Sequence, residues 1–299
     1  MKLFYYKDPI GNFGDDLNPW LWDKLLPNFC DEDESDWLVG IGTLLNHKLP
    51  TQGRKIVLGS GYGYGKPPKI DENFHILSVR GPKTAEVLGV APSLAITDPA
   101  ILIRSVHKPE ATERTSKFGF IPHCDSVTNF SWEALCEQAG VKFINVQWSV
   151  DRFLAAMAEC DVLLCEAMHG AIVADALRIP WIPVRCYGYI DSFKWQDWLA
   201  TVKLPYEPVS VAALYDAESR MALAQKSKNK LKRTLKASGL WNSNWSSPEP
   251  APSKAREIEK ALEDLQSATL SPQYLSEDAL CTSLTEQYLE VLEQAKKLK

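Results

Sequence analysis

Short apolar runs alternate with stretches of helical composition along residues 1–200 of the chain. The clearest example lies between Asp161 and Val184. There the apolar run Val162 to Cys165 is followed by helical composition over Ala171 to Arg178, and then by a second apolar run at Trp181 to Val184. Unbroken apolar runs of this length are typical of strands buried on both faces of a parallel sheet. The segment therefore predicts a β-turn-α-β unit.

The same alternation extends on the amino-terminal side of this unit. Further strands are predicted at Leu3 to Tyr6, Trp37 to Ile41, Ile56 to Leu58, Phe74 to Val79, Phe118 to Ile121 and Lys142 to Val146. Helices are predicted at Leu17 to Leu26, Lys83 to Leu88, Trp132 to Ala139 and Val150 to Glu159. Because strands and helices alternate in both halves, the pattern predicts an α/β protein with two Rossmann-like domains that face each other across a cleft.

Two linkers divide the pattern into three parts. The polar segment His107 to Ser116 predicts a boundary between a first domain, residues 1–113, and a second domain, residues 114–245. The segment Ser246 to Pro252 is proline-rich and predicts a stiff linker, which opens a final part, residues 246–299. This part contains helical patterns at Ala255 to Leu265 and Ser276 to Leu298. Packing of these helices back across the domains and self-association both remain open.

Composition and charge narrow the class of protein. With 299 residues, 45% of them hydrophobic and 24% charged, the chain is expected to form a globular protein with a full core. A net charge of −5 argues against nucleic acid as a partner. The seven irregularly spaced cysteines suggest reduced thiols of a cytoplasmic protein, without a zinc-binding pair. Neither a signal peptide nor a membrane-spanning stretch is expected.

The segment Gln225 to Lys236 is strongly basic, with no acidic residue among its lysines and Arg233. One interpretation is a solvated helix face. The other is attraction to anionic lipid headgroups, which contributes about 1 kcal/mol for each basic residue near a membrane surface. The second interpretation would place the protein at the inner face of the cytoplasmic membrane, as a peripheral protein.

The candidate chemistry lies where the predicted strands end. Glu166, Met168, His169 and Gly170 follow the strand of the β-turn-α-β unit and precede its helix, and His123 follows another predicted strand. In open α/β sheets ligands bind at this rim, and a helix amino terminus favours anions. A tight turn whose histidine packs on a neighbouring side chain is the alternative interpretation.

Glycine-rich loops follow three strands of the first half. They lie at residues 11–14, 40–43 and 59–65, and Asp15 or Asp16 is predicted to cap the helix after the first loop. Loops at corresponding strand ends indicate one shared cleft, although glycine is also common in ordinary turns. The second half adds an aromatic segment, Arg185 to Trp195, which suits carbohydrate or a packed loop. The residues of these loops predicted to bind substrate are Gly11, Asn12, Gly14, Asp15, Gly61, Arg185 and Lys194.

Arg80 closes the fourth predicted strand. Its guanidinium offers a planar donor fork that matches a carboxylate or a phosphate, and a surface ion pair is the alternative.

In their order along the chain, these motifs resemble the polysaccharide pyruvyl transferase family. The matching pieces are Gly11-Asn12-Phe13-Gly14-Asp15, the loops at 40–43 and 59–65, Ser78-Val79-Arg80, Thr97-Asp98-Pro99-Ala100, and His169-Gly170 with Ala174 and Pro180. The resemblance implies a GT-B-like architecture with the ligand cleft between the domains. It also implies transfer of pyruvate from phosphoenolpyruvate to two hydroxyls of one sugar, in an exopolysaccharide or its lipid-linked precursor, which forms a ketal.

The resemblance assigns contact with phosphoenolpyruvate to His169. Many members carry arginine at the position of Ala167, so the resemblance implies that Arg80, Arg185, Lys194 or the backbone N–H of Gly170 holds the anion instead. No metal and no cofactor are expected. A histidine titrates near neutral pH, so His169 is the expected acid/base, and Glu166 is expected to orient it or to accept the proton of the sugar hydroxyl.

Two other functions remain possible at this point. The first is a GT-B-type glycosyltransferase that uses a nucleotide sugar. The second is a non-enzymatic subunit of a polysaccharide assembly complex, docked through its basic and C-terminal helices. The oligomeric state is open.

Overall fold

The computed structural model of the protein describes residues 1–108, 114–238 and 247–299. Two parallel β-sheets form its framework, one of four strands and one of five. The predicted mixture of parallel strands and helices is therefore confirmed. The predicted boundary after residue 113 and the start of the linker at Ser246 lie outside the described residues.

The first half builds the four-stranded sheet in the order β1-β2-β3-β4. Its elements are β1 (Lys2–Phe4), α1 (Phe13–Leu25), β2 (Asp36–Val39), β3 (Arg54–Leu58), β4 (Phe74–Ser78), α2 (Pro82–Leu88) and α3 (Ile103–Val106). A short 3₁₀ helix, Pro99–Leu102, precedes α3. Every strand pairs parallel to its neighbour, so all four carboxyl ends lie at one edge of the sheet.

The second half builds the five-stranded sheet in the order β6-β5-β7-β8-β9. Its elements are β5 (Ser116–Ile121), α4 (Cys124–Asn129), α5 (Glu133–Ala139), β6 (Lys142–Phe143), α6 (Val150–Ala158), β7 (Cys160–Cys165), α7 (Met168–Ala176), β8 (Trp181–Arg185), α8 (Ser192–Thr201) and β9 (Val209–Ser210). All pairs are parallel. The strand order reverses between β5 and β7, and this reversal creates a topological switch point.

Two helices begin earlier than the sequence predicts. Helix α1 begins at Phe13, because the Asn12 side chain accepts a hydrogen bond from the Gly14 N–H at 3.3 Å and caps the helix. The prediction that Asp15 or Asp16 caps this helix is wrong, since both lie in its first turn. Helix α7 begins at Met168, so His169 lies in its first turn instead of in the preceding loop.

The predicted strand at Lys142 to Val146 is extended only over Lys142–Phe143. Beyond it the chain turns towards the first half, where the Val146 carbonyl accepts a hydrogen bond from the Phe13 N–H at 2.7 Å. The aromatic rings of Phe13 and Phe153 stack at 3.8 Å across the same contact. The two halves thus meet at the start of α1.

In the described residues, three α-helices follow the second sheet: α9 (Leu223–Ala237), α10 (Ala255–Ala268) and α11 (Asp278–Lys296). Helix α10 packs on α5 of the second half, whereas α11 returns to the first half and packs against β4. The hydroxyl of Tyr288 on α11 lies 3.0 Å from Ser78 Oγ, and a Cβ atom at Gly59 would lie 1.8 Å from that hydroxyl. The structure therefore shows the C-terminal helices packed back across the two halves.

No helix in the three described ranges is long and apolar enough to cross a bilayer.

Candidate active site

A cavity of about 780 Å³ lies at the carboxyl ends of the strands and is lined by residues of both halves. This volume is within the range of small-molecule binding sites. Most of the residues predicted from the sequence line it: Asn12, Gly14, Asp15, His123, Glu166, Met168, His169, Gly170 and Lys194.

The fold explains why the second half brings its site residues together. His123 follows the end of β5, and the turn with Glu166 follows the end of β7. These two strands are the neighbours at the switch point, where helices leave the sheet in opposite directions and open a crevice. Adjacent strand ends therefore place His123 and His169 on the same wall of the cavity.

His169 lies in the first turn of α7 and reaches the cavity, with 16% of its side chain exposed. Its ring packs against α1, where a Cβ atom at Gly14 would lie 2.2 Å from His169 Nδ1. Any larger residue at position 14 would displace the imidazole. Gly14 is thus explained by the close approach of His169.

Asp98 is the carboxylate nearest the other side of this ring. Its Oδ2 atom lies 3.7 Å from His169 Nε2, and neither of these two buried atoms has a hydrogen-bond partner. The second oxygen, Oδ1, accepts the Ala100 N–H at 3.0 Å and caps the 3₁₀ helix. An ionised Asp98 favours the His169 tautomer that carries its proton on Nε2. Nδ1 is then the nitrogen available to exchange a proton.

The amino terminus of α7 also faces the cavity. Ala167 is its N-cap residue and provides no side-chain hydrogen bond, and Met168, His169 and Gly170 line the cavity. The first N–H groups of a helix have no acceptor within it, and they favour a bound anion. This end of α7 is therefore a suitable position for a carboxylate or phosphate.

Asp15 and Lys194 give the cavity an acid and a base that titrate near neutral pH. Burial raises the pKa of Asp15 to about 6, against the opposing effects of the His169 charge and the Asn12 hydrogen bond. Burial, followed by the charge of Arg80, lowers the pKa of Lys194 to about 8. Lys194 Nζ donates to the hydroxyl of Tyr64. Both groups can change charge close to physiological pH.

His123 lines the cavity and is held in place by its own helix. Its Nδ1 accepts the Asp125 N–H at 3.3 Å, and burial, with a contribution from Lys194, lowers its pKa to about 4. The ligand atoms of His123, Cys124 and Asp125 lie within 4.8 Å of one another, a spacing that could hold a metal ion. The absence of a metal from the reaction therefore remains a prediction.

Glu166 does not orient His169. It is fully buried and accepts hydrogen bonds from the His123 N–H at 3.0 Å and the Cys186 N–H at 2.8 Å. Burial raises its pKa, and these hydrogen bonds oppose the shift. The carboxylate thus joins the ends of β5 and β8, and Asp98 is the acid that faces His169.

Arg80 does not line the cavity, in contrast to its expected contact with substrate. The side chain is fully buried. Its Nε donates to Asp197 Oδ2 at 3.1 Å, its Nη1 to Thr43 Oγ1 at 3.0 Å, and its Nη2 to the Tyr62 carbonyl at 2.7 Å. A Cβ atom at Gly61 would lie 2.1 Å from the Arg80 guanidinium carbon. Gly61 therefore makes room for Arg80 and not for a ligand.

Gly11 and Arg185 also lie outside the cavity lining. Gly11 has φ +88°, and a Cβ atom there would lie 3.0 Å from the Gln147 carbonyl. Arg185 is exposed at the end of β8, where its carbonyl accepts the Val211 N–H. Of the four candidates to replace the arginine missing at Ala167, Lys194 and the Gly170 backbone are the two that line the cavity.

The role of Asp98 is not recognisable from the sequence, although Asp98 belongs to the motif Thr97-Asp98-Pro99-Ala100. An aspartate before a proline is typical of a helix cap, and Asp98 is such a cap. The contact of Asp98 Oδ2 with the His169 ring becomes apparent only in the structure, where α7 lies beside the 3₁₀ helix.

Two comparisons with known proteins identify the family of the chain. The family model for polysaccharide pyruvyl transferase matches residues 3–186. The succinoglycan biosynthesis protein ExoV of Rhizobium meliloti (strain 1021) is 37% identical over 255 residues, which cover 84% of this chain and 76% of that protein. No solved structure is significantly similar to the chain. The chain is therefore an enzyme that belongs to the polysaccharide pyruvyl transferase family.

Proposed function

We propose that the enzyme transfers pyruvate from phosphoenolpyruvate to two hydroxyls of one sugar, in an exopolysaccharide or its lipid-linked precursor, and forms a pyruvate ketal. The observation that carries this proposal is the position of His169 at the uncapped amino terminus of α7, in one cavity with Lys194 and Asp15. The similarity to a succinoglycan biosynthesis protein supports an exopolysaccharide as acceptor.

Phosphoenolpyruvate carries a carboxylate and a phosphate, so its site needs several cationic or N–H donors. The first-turn N–H groups of α7 and the ammonium of Lys194 provide such donors on the cavity wall. Lys194 takes the place of the arginine that is missing at Ala167. Its lowered pKa makes binding of the donor sensitive to pH above about 8.

The reaction needs a proton at the methylene carbon of phosphoenolpyruvate. Protonation there leaves cationic character on the adjacent carbon, which the first sugar hydroxyl attacks to form a C–O bond. The C–O bond to phosphate then breaks, phosphate leaves with the electron pair, and the second hydroxyl attacks the same carbon. One proton enters the methyl group and two leave the hydroxyls, so one proton leaves with phosphate or solvent.

His169 and Asp15 are the groups we assign to these proton transfers. The negative charge of Asp98, 3.7 Å from Nε2, favours the tautomer with the proton on that nitrogen, so we assign proton transfer at the cavity to Nδ1. Asp15, with a pKa of about 6, is ionised at neutral pH and is able to accept a proton from a sugar hydroxyl. We therefore assign the acceptance of the hydroxyl proton to Asp15 instead of Glu166, because the oxygens of Glu166 accept backbone hydrogen bonds.

We also propose a GT-B-like architecture for the enzyme. Two Rossmann-like domains, residues 1–113 and 114–245, would face each other across the cavity in a GT-B-like arrangement, followed by residues 246–299. The second sheet supports this, because its strand order is that of a doubly wound sheet. The strands of the first sheet follow one another in sequence order, without a switch point. The similarity of this sheet to a Rossmann-like domain rests on its parallel strands and glycine-rich loops.

We also propose a peripheral membrane contact through α9. Exposed lysines and the exposed side chains of Leu223 and Leu231 lie on this helix. A basic helix with apolar side chains favours an anionic bilayer surface. Co-sedimentation with phosphatidylglycerol vesicles, lost on charge reversal of Lys228, Lys230 and Lys236, would support the contact, and no binding to such vesicles would reject it.

The test of the function is an incubation with phosphoenolpyruvate and a panel of lipid-linked or model glycosides. Phosphate release that depends on the glycoside, with a mass gain of one pyruvate ketal on that glycoside, is the expected result. A ligand at 100 times its dissociation constant adds about 2.7 kcal/mol of stability, so phosphoenolpyruvate should also raise Tm. Stabilisation by a nucleotide sugar, with none by phosphoenolpyruvate, would instead favour a glycosyltransferase.

A further inference from the structure

The loop between β8 and α8, residues 186–191, places an aromatic ring and a carboxylate on the cavity wall. Tyr189 has 45% of its surface exposed, yet its ring is firmly held. It stacks on the ring of Tyr187 at 5.1 Å and 16°, and its hydroxyl lies 3.1 Å from Ser126 Oγ and 3.2 Å from Asn129 Nδ2. One face and the polar edge of Tyr189 are therefore occupied, and the exposed remainder lines the cavity.

Asp191 lies two positions further along the same loop and also lines the cavity. Its Oδ1 accepts the Phe193 N–H at 2.9 Å and caps α8. Its Oδ2 is buried and has no hydrogen-bond partner. A Cβ atom at Gly63 would lie 3.1 Å from this oxygen, so it faces the glycine loop at residues 59–65. A buried acceptor without a partner is costly unless a ligand supplies a donor.

The chemistry of this loop does not suit phosphoenolpyruvate. A carboxylate repels the carboxylate and the phosphate of this anion, and an aromatic face offers them no hydrogen-bond donor. A sugar ring is different, because its C–H groups form an apolar face and its hydroxyls lie at its edge. Tyr189 matches such a face, and Asp191 Oδ2 matches a hydroxyl donor.

We propose that residues 186–191 form the subsite for the acceptor sugar. One face of a pyranose ring lies on Tyr189, and a ring hydroxyl donates a hydrogen bond to Asp191 Oδ2. The assignment names the acceptor site of the proposed transfer and therefore rests on the proposed function. The donor then binds to α7 and Lys194, and the acceptor binds to the loop that precedes α8.

The first test compares Tyr189→Ala with Tyr189→Phe in steady-state assays that vary acceptor and phosphoenolpyruvate separately. Loss of an aromatic contact should raise KM for the acceptor about 3- to 10-fold in Tyr189→Ala. KM for phosphoenolpyruvate should change little, and Tyr189→Phe should stay close to wild type. The matched control is Tyr215→Leu, because Tyr215 packs on Tyr187 at 5.5 Å but lies outside the cavity lining.

The second test is Asp191→Asn. Asparagine caps helices as well as aspartate does, so the variant retains the cap of α8 and loses the charged acceptor. Loss of a hydrogen bond to a charged group should lower kcat/KM for the acceptor about 10-fold or more. Because Asp191 supports the charge of Lys194, KM for phosphoenolpyruvate is measured in the same series at pH 7. An effect mainly on phosphoenolpyruvate would overturn the assignment.

A binding experiment separates the acceptor subsite from the proposed function. Saturation-transfer NMR measures the binding of a model glycoside in the absence of phosphoenolpyruvate. A glycoside that binds wild type and not Tyr189→Ala supports the subsite, even if no pyruvate is transferred. Equal binding to both proteins, or an unchanged acceptor KM in an active Tyr189→Ala enzyme, rejects it.

Discussion

Two sets of buried polar groups lie next to the same cavity and differ in whether the chain itself provides their partners. Glu166, Arg80 and Asp197 are fully buried and hydrogen-bonded within the protein. Asp98 is equally buried, but one of its oxygens has no partner, and the same is true of the facing His169 Nε2. The first set holds the fold through its hydrogen bonds, whereas the second set places a carboxylate beside the ring of His169 without fixing that ring by a hydrogen bond.

Arg80 and Lys194, two cations of the region around the cavity, show the same difference. Arg80 makes three hydrogen bonds, to Asp197, Thr43 and Tyr62, and is removed from solvent. Lys194 lines the cavity, and its pKa is lowered to about 8 by burial and by the charge of Arg80. An arginine is always charged and therefore suits a permanent ion pair, while a lysine is able to respond to its surroundings. The difference between the two sets can be tested by mutation.

The largest effect is expected for His169→Ala. Loss of a general acid/base should lower kcat about 10²–10⁴-fold. Since His169 is partly exposed and makes no hydrogen bond through Nε2, the free energy of unfolding should change little. Phosphate release and thermal unfolding measure the two quantities on one sample. Activity near that of wild type would remove His169 from the mechanism.

The opposite result is expected for Arg80→Ala. Breaking a buried ion pair by removing one partner costs about 3–5 kcal/mol, because it leaves Asp197 buried and unpaired. Urea unfolding should show this loss in Arg80→Ala. Lys194→Ala, the control, should lose affinity for phosphoenolpyruvate with little loss of stability. Unchanged stability of Arg80→Ala, with a raised KM for phosphoenolpyruvate, would return Arg80 to the binding site.

The pH dependence of kcat/KM for phosphoenolpyruvate should distinguish Lys194 from the other groups that donate hydrogen bonds to this substrate. Its ammonium is charged below the pKa of about 8 and neutral above it. The value of kcat/KM for phosphoenolpyruvate should therefore fall about tenfold per pH unit above that value. In Lys194→Arg the fall should move to higher pH, since a guanidinium stays charged. A descending limb at the same pH in both proteins would assign it to another group.

The smallest effect is expected in the stability of Asp15→Asn. Burial raises the pKa of Asp15 from 3.8 to about 6, so the folded protein disfavours its carboxylate. The penalty is complete above pH 6, where the group is ionised in both states, and absent below 3.8, where it is protonated in both. Allowing for partial exposure, Asp15→Asn should gain about 1–2 kcal/mol at pH 8. The gain should disappear near pH 3 in urea unfolding.

A constant difference between Asp15→Asn and wild type across this pH range would show that Asp15 ionisation does not destabilise the fold. Pyruvate transfer should be lower in Asp15→Asn at every pH, because the amide cannot accept a proton.

The sequence predicted the strands well and the roles of individual side chains less well. Buried parallel strands are unbroken apolar runs, so β7 and β8 were recognisable, and their ends gave the position of His169. The role of Glu166 was not recognisable, because adjacency along the chain does not show which backbone N–H groups a side chain reaches. The roles of Asp98 and Arg80 were not recognisable either, because they depend on contacts with α7 and α8, which are distant in sequence.

The contact of α11 with the first sheet bears on the order in which the protein is assembled during translation. Ser78 and Tyr288 are 210 positions apart, and Tyr288 fills the space beside Gly59. A ribosome has to complete the second half before this space is filled. The packing of the first half beside Gly59 is therefore complete only after α11, near the carboxyl end of the chain, has been synthesised.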